Sequence, residues 1–465
     1  MTSLAEARRD LPPEVVERAM DRAAGSRPIP GNRVTLLFDG PELYPAMLQR
    51  IAAAERWIHL DSYIFHGDAT GRRFAEALIE RARAGVAVRV ITDWLGSIST
   101  RRRFWRRLRE AGVELRRFGP PHLLQLRQNL IRAHRKLLVV DGTTALTGGH
   151  CIGDEWAGKP GGKQQPWRDT GCAIDGPAAA SMDRAFANLW RVMGTPLAEA
   201  ELAAEAPACG SSAVRVIAGE PGGMRASRAT DLLLAGAAEK VWITDAYLVA
   251  PRTIYQALID GARSGLDVRL LVPGTSDLTH LQNLTRIGYR DLLEAGVRIF
   301  EWRGPMLHAK TMVADGRWIR IGSTNLNFSS LLVNYELDVL IDDDALGNAM
   351  EARFRRDLEQ CDEIGIGASK SGRRRRKLAV HPGAELPDRK YHRPGLRERR
   401  RRAVVAVWTV MAGARRTILL QYSVALAGLG ILFLLLPRVM AWMFSVLALW
   451  LALSAWFETW GRERQ

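Results

Sequence analysis

Two short stretches of this 465-residue chain carry the same three polar residues at the same spacing: His134, Lys136 and Asp141, then His308, Lys310 and Asp315. Each trio sits on an apolar run that reads as a strand, HRKLLVVDG and HAKTMVADG. Residues i and i+2 of a strand face the same way, so each histidine projects beside its lysine. Two such pairs suit exchange at a phosphodiester. One imidazole attacks phosphorus, the other protonates the departing oxygen, and the lysines neutralise the phosphate oxygens. Asp141-Gly142 and Asp315-Gly316 also have hairpin-turn chemistry, so holding a turn stands as a structural reading of the aspartates beside the catalytic one. A single histidine beside a lysine would be an ordinary polar residue; its repetition is what carries chemical meaning.

The elements that must position these trios repeat as well. AERWIHLDSYIF at 54–65 is echoed by AEKVWITDAYLV at 238–249. ALIERARAGVAVR at 77–89 matches ALIDGARSGLDVR at 257–269, and REAGVELRRF at 109–118 matches LEAGVRIFEW at 293–302. With the motifs themselves these make four blocks in one order, which indicates an internal duplication. In each half an apolar run, a helical stretch closed by Gly85 or Gly265, and a second apolar run read as a βαβ unit. Each half is therefore expected to be a mainly parallel sheet covered by helices. The halves are placed at 33–200 and 213–362. A polar segment, 1–32, precedes them, its Arg27-Pro28-Ile29-Pro30 forming an extended entry to the first strand.

Together these features resemble the phospholipase D superfamily, and within it the bacterial cardiolipin synthases. The resemblance covers roughly residues 33–362. It extends to Gly322-Ser323-x-Asn325 and Asn334-x-Glu336 in the second half, and to Gly148-Gly149 and Trp167-Arg168-Asp169-Thr170 in the first. What it implies is an α/β fold of two duplicated phospholipase D-like halves, a pseudo-twofold body with one active site between them. It further implies a phosphatidyl-histidine intermediate released by an acceptor alcohol, with no metal or other cofactor. By the same resemblance, His134 is taken as nucleophile and His308 as acid/base, roles the sequence leaves interchangeable. Asp169 and Glu336, each downstream of a motif histidine, are the carboxylates that orient the imidazoles, and Ser323 and Asn325 bind phosphate. There are departures from the family pattern. Cys151 follows Gly148-Gly149-His150 where an Asn is usual, removing an amide donor, and after Asn325 the chain reads Leu-Asn327-Phe-Ser-Ser330 where many such synthases carry an Asp and an Arg before the Ser, which bears on acceptor specificity.

The formal net charge of +16, from 66 Lys+Arg and 50 Asp+Glu, would suit nucleic acid or anionic lipid. Residues 371–465 alone hold 18 Lys+Arg and 5 Asp+Glu, so the body is nearly neutral and no nucleic-acid partner is expected. Residues 371–402 read as a basic linker. The uncharged stretches 417–436 and 439–457 read as a transmembrane hairpin, the first spanning about 30 Å. Residues 403–414 are too short to cross and extend this membrane region. Arg415, Arg416, Arg462 and Arg464 flank the outer ends while Arg438 alone marks the connection, which places both ends in the cytosol. No apolar run follows the first ten residues, so no secretory signal is expected and the body should lie on the cytoplasmic side of the cell membrane.

Other signals are weaker. The four cysteines lack C-x-x-C spacing, which argues against a disulfide framework or a cysteine zinc site. Residues 153–159 echo a phosphate-binding loop, but Pro160 replaces the required Ser/Thr. His59, His66, His122, His150 and His280 show no metal-ligand spacing. The Arg101–Arg109 run is either a solvated helix face or a contact for anionic headgroups. The expected activity is phosphatidyl transfer forming cardiolipin from phosphatidylglycerol at an anionic membrane surface. A hydrolytic phospholipase D releasing phosphatidic acid and a catalytically silent, lipid-binding scaffold are the alternatives.

Overall fold

The motif runs become strands because they are mostly apolar after the lysine and buried at every position, over Lys136–Val140 and Lys310–Ala314 alike. The computed structural model describes residues 13–121, 128–159, 164–203, 205–366, 378–382 and 449. Their sixteen strands form one sheet. The first half contributes β1 (Ile29–Phe38), β2 (Trp57–Ser62), β3 (Ala87–Asp93), β4 (Glu114–Phe118), β5 (Lys136–Val140), β6 (Thr144–Gly148) and β7 (Thr170–Asp175). The second contributes β8 (Ser212–Gly219), β9 (Lys240–Asp245), β10 (Asp267–Pro273), β11 (Arg298–Trp302), β12 (Lys310–Ala314), β13 (Trp318–Gly322) and β14 (Glu336–Asp342), with β15 (Cys361–Ile366) and β16 (Leu378–Pro382) at its edge. Outward from the central β1–β8 pairing the halves run β1-β7-β6-β5-β2-β3-β4 and β8-β14-β13-β12-β9-β10-β11. Corresponding blocks of the repeat therefore occupy corresponding places.

Among these strands only β2–β3–β4 and β9–β10–β11 run parallel; every other strand pair is antiparallel. This corrects the expectation of mainly parallel halves. A parallel neighbour needs a crossover, supplied here by helices such as Ala69–Arg83 and Arg252–Arg263. The Asp-Gly turn after each motif instead reverses the chain directly and makes β5–β6 and β12–β13 hairpins. The crossover helices start and stop where sequence chemistry dictates. Asp68 caps Ala69–Arg83 by accepting the Gly71 N–H at 2.8 Å, and Gly85 and Gly265 follow their helices at φ +91° and +99°, the left-handed region open to glycine.

Helices cover both faces. Pro177–Val192 and Asp344–Leu358 pack on the face that joins the halves, in a core running from Phe186 and Trp190 through Val214 and Leu337 to Phe354. The opposite face is covered by Asp39–Ala52, Ala69–Arg83 and Arg102–Glu110 in the first half, and by Arg225–Gly236, Arg252–Arg263 and Thr279–Ala295 in the second.

Two segment boundaries shift. The sheet already begins at Ile29 within the polar N-terminal segment, and Leu378–Pro382, inside the segment read as linker, pairs with β15. The rest of the linker, residues 403–414 and the spans at 417–436 and 439–457 lie outside the described residues, apart from Leu449. Among the described residues no helix is long and apolar enough to cross a membrane.

Candidate active site

The motif histidines sit just before β5 and β12, where Lys136 pairs with Ser62 at the end of β2 and Lys310 with Asp245 at the end of β9. Two isolated parallel bridges stitch the halves together here, Ala133 with Tyr335 and Arg168 with Leu307. The His134 N–H donates to Tyr335 O at 2.9 Å, and the His308 N–H to Arg168 O at 2.7 Å. One residue beyond each bridge stands a carboxylate. His134 Nδ1 lies 2.9 and 3.0 Å from the two oxygens of Glu336, and His308 Nδ1 lies 2.8 Å from Asp169 Oδ2. Each histidine is therefore held by the half it does not belong to. The sequence associates each carboxylate with the histidine upstream of it, and the bridges exchange the partners.

Electrostatics fix the protonation pattern. Burial drives His308 down to about 3, with Lys310 acting in the same direction and Asp169 opposing. His134 is likewise lowered by burial against the opposing pull of Glu336. Burial would raise both carboxyls, but the facing imidazoles and nearby cations outweigh it, and Asp169 and Glu336 end below their ordinary values. At neutral pH each carboxylate is thus ionised and accepts the Nδ1–H of a neutral ring, which leaves the Nε2 lone pair unprotonated. Lys136 acts on His308, and Lys310 on His134, so both trios share one electrostatic site. Lys136 Nζ donates to His134 O at 2.6 Å, and Lys310 Nζ donates to His308 O. Burial lowers Lys310 to about 8.

Asp141 and Asp315 bond at the turns that follow the motifs. The Asp141 carboxylate accepts the N–H groups of Glu55, Arg56 and Trp57 at 2.8–2.9 Å, and Asp315 those of Ala238, Glu239 and Lys240 at 2.8–2.9 Å. With φ of +53° and +52°, they pin the hairpin turns to the starts of β2 and β9. These bonds match the turn-holding reading of the two aspartates. The Ser323 hydroxyl donates to Glu336 Oε2 at 2.5 Å and accepts the Leu337 N–H at 2.9 Å, which ties it to the carboxylate. Asn325 is buried with its amide nitrogen 3.4 Å from Ser330 Oγ and its carbonyl oxygen without a partner among the described residues.

Several aromatic residues join the site beyond the roles read from the motifs. Tyr63 packs on His134 at 4.8 Å between ring centroids and Tyr247 on His308 at 6.1 Å, each also beneath its half's lysine. The signal for them was present, since Asp61-x-Tyr63 and Asp245-x-Tyr247 recur in the repeated block. Trp156 and Trp167 enclose His308 at 5.4 and 5.7 Å, and the Trp156 indole N–H donates to Asp169 Oδ2 at 3.0 Å. Trp156 has no repeat counterpart to announce it. Cys151 is buried in the first-half core. His59 is buried against Asp183 at 2.6 Å, and the Arg102–Glu110 helix buries only Trp105 and Leu108. Residues 122–127 and 160–163 lie outside the described residues, and so do the side chains of 279–281.

A family model described as cardiolipin synthase, phospholipase D-like domain, matches residues 47–190 and 232–358. Cardiolipin synthase A of Pseudomonas syringae pv. syringae (strain B728a) is 32% identical over 367 residues, covering 78% of this chain and 76% of that protein. Cardiolipin synthase A of Pseudomonas aeruginosa (strain LESB58) is 31% identical over 366 residues, covering 78% and 74%. Among solved structures, phosphatidylserine synthase of Haemophilus influenzae Rd KW20 shares the fold at a TM-score of 0.60 and 15% identity, over 75% of this chain and 92% of that one.

Proposed function

This chain belongs to the family of cardiolipin synthases with phospholipase D-like domains, and we propose that its crossed pairs His134–Glu336 and His308–Asp169 perform the two half-reactions of phosphatidyl transfer. It is a phospholipase D-type phosphatidyltransferase acting on phospholipids. The observation that supports these roles is the pair of neutral imidazoles, each with Nδ1–H committed to a carboxylate and Nε2 left as a base. A bound phosphodiester anion favours the imidazolium of one ring, which becomes the acid. Nε2 of the other, taken as His134, attacks phosphorus; the P–O bond to the first headgroup alcohol breaks as His308 gives that oxygen its proton. In the second step His308 removes a proton from the acceptor hydroxyl, the acceptor oxygen bonds to phosphorus, and the P–N bond breaks to free His134. Lys136, Lys310 and the Asn325 amide balance the phosphoryl charge.

With phosphatidylglycerol as both donor and acceptor, the products are cardiolipin and glycerol. Incubation of the purified protein with labelled phosphatidylglycerol tests this: cardiolipin with glycerol is expected, whereas phosphatidic acid would mean that water is the acceptor. The tail is proposed to anchor the enzyme in the cell membrane through a hairpin at 417–436 and 439–457, with the catalytic body on the cytoplasmic side. The full chain is then expected to resist alkaline extraction from membranes, and a chain ended after Pro382 to be released by it.

A further inference from the structure

Large apolar side chains left in water are ordinary when scattered; several on loops bonded to one site are not. On the first half, the loop after β3 exposes Leu95 and Ile98, the latter by 56%, and the turn Gln128–Leu130 exposes Leu130 by 71%. On the second, Leu278 follows β10, and Phe328, 63% exposed, follows the Asn325 segment. Leu284 and Ile287 continue exposed along the helix Thr279–Ala295.

Hydrogen bonds tie these loops to the histidines. Ser97, next to Ile98, donates from Oγ to Tyr63 O at 3.2 Å, and Tyr63 packs on His134. Asp277, next to Leu278, accepts the Tyr247 hydroxyl at 2.7 Å, and Asn327, next to Phe328, donates to Tyr247 O at 3.4 Å. Tyr247 in turn faces His308. Beside Ile98 the exposed side chains of Arg101, Arg102 and Arg103 add a cationic flank.

We propose that this rim docks on the surface of a phospholipid bilayer, its apolar side chains entering the headgroup–acyl boundary and Arg101, Arg102 and Arg103 meeting anionic headgroups. The inference rests on the phosphatidyltransferase reading of the site. It commits to lipid over a second protein because the rim loops are bonded to the two tyrosines that pack on the histidines, so that what docks here lies beside the reacting groups, and the substrate of those groups is itself a lipid. A docked rim lets a headgroup reach Nε2 while its acyl chains stay in the bilayer, so no chain is drawn through water.

The test uses the full chain reconstituted in vesicles of phosphatidylglycerol and phosphatidylcholine. Cys209 is exposed and the other three cysteines are buried, so Phe328→Cys in a Cys209→Ser background takes a fluorophore at the rim. Lipids brominated high in the acyl chain are expected to quench it; absence of quenching, or a signal set by contact between protein copies, overturns the proposal. Turnover supplies a second reading. The Ile98→Ser, Leu278→Ser, Phe328→Ser triple variant should lose about tenfold or more on vesicle phosphatidylglycerol, because interfacial binding scales with buried apolar area. On monomeric dihexanoyl phosphatidylglycerol, which needs no docking, it should stay within about twofold of the parent. Equal losses on both substrates, or none on either, overturn the rim. A parent protein that converts neither substrate would instead sink the phosphatidyl-transfer reading.

Discussion

The two halves hold their histidines by the same first bond and different second ones. In each, Nδ1 faces a carboxylate from across the interface. Behind Glu336 stands the Ser323 hydroxyl; behind Asp169 stands the Trp156 indole. Gly149 occupies the place that Ser323 has in the other half, and a Cβ there would lie 2.2 Å from Asp169 Oδ1. A serine there would push the Asp169 carboxylate from its place, and the donor comes from the short helix Asp154–Ala157 instead. The buried aspartates on β2 and β9 diverge too: Asp245 accepts the N–H groups of Tyr247 and Leu326 at 2.9 and 2.8 Å, while neither oxygen of Asp61 has a partner among the described residues. After duplication the imidazole–carboxylate contact stayed common while its supports diverged, and unequal supports allow two chemically similar rings to take unequal roles.

The largest effects test that inequality. His134→Ala and His308→Ala should each reduce phosphatidyl transfer at least about a thousandfold, since both steps need both rings. A phosphodiester with a nitrophenol leaving group, which departs without a proton, separates them. If His134 is the nucleophile, His308→Ala should retain a nitrophenol burst and His134→Ala should show none; the reverse result exchanges the roles. Next in size, Asp169→Asn and Glu336→Gln replace the ionised, acceptor-only partner of the Nδ1–H by a neutral amide that can also donate and so no longer fixes the tautomer, with an expected loss of about a hundredfold in kcat. Equal losses would mean that the two carboxylates matter alike despite their different supports.

The donors behind the carboxylates should matter less. Trp156→Phe keeps a buried ring but loses a hydrogen bond to an ionised group, a contribution of about 1.5–3 kcal/mol, so kcat should fall by about ten- to a hundredfold with KM nearly unchanged. Ser323→Ala should cost a similar factor through the other histidine. If Asp169 and Glu336 serve opposite protonation states, the two variants should move opposite limbs of the pH–kcat profile. Movement of the same limb would break the comparison.

How far the site could be read in advance depended on the kind of contact. The histidine–lysine pairs and the Asp-x-Tyr pairs are local and repeated, so they are visible as spacing. The exchange of Glu336 and Asp169 between halves is set by the bridges at Ala133 and Arg168, a tertiary register that no spacing encodes. Strand direction is hidden for a related reason: an apolar run is the same in either direction, and the Asp-Gly turns mark only the reversals after β5 and β12. The Ser323–Gly149 difference stood in the sequence, but its consequence required knowing that position 149 lies against Asp169.

The smallest expected effect is on stability, and it separates Asp61 from Asp245. Burial raises Asp61 to about 8 and Asp245 to about 6, both well above the unfolded value near 3.8. A carboxyl raised on folding binds its proton more tightly in the native state, so stability falls as pH rises from the unfolded to the folded value and is level beyond. For Asp61 that window runs from about 4 to about 8. Asp61 and His150, whose ring nitrogens also lack partners, line a cavity of about 20 Å³ beside Lys136, room for one water and no more. Asp61→Asn has no ionisation to resist, so its melting temperature should match the parent near pH 4 and exceed it by about 5 °C at pH 8. Asp245→Asn should gain nothing, because an amide nitrogen would confront one of the two backbone N–H donors that the carboxylate now accepts, at a cost of about 1–3 kcal/mol. Melting curves of both variants across this pH range decide the matter: a stabilised Asp245→Asn, or an Asp61→Asn whose difference from the parent does not grow with pH, would show that the two aspartates are not distinguished by their hydrogen bonds.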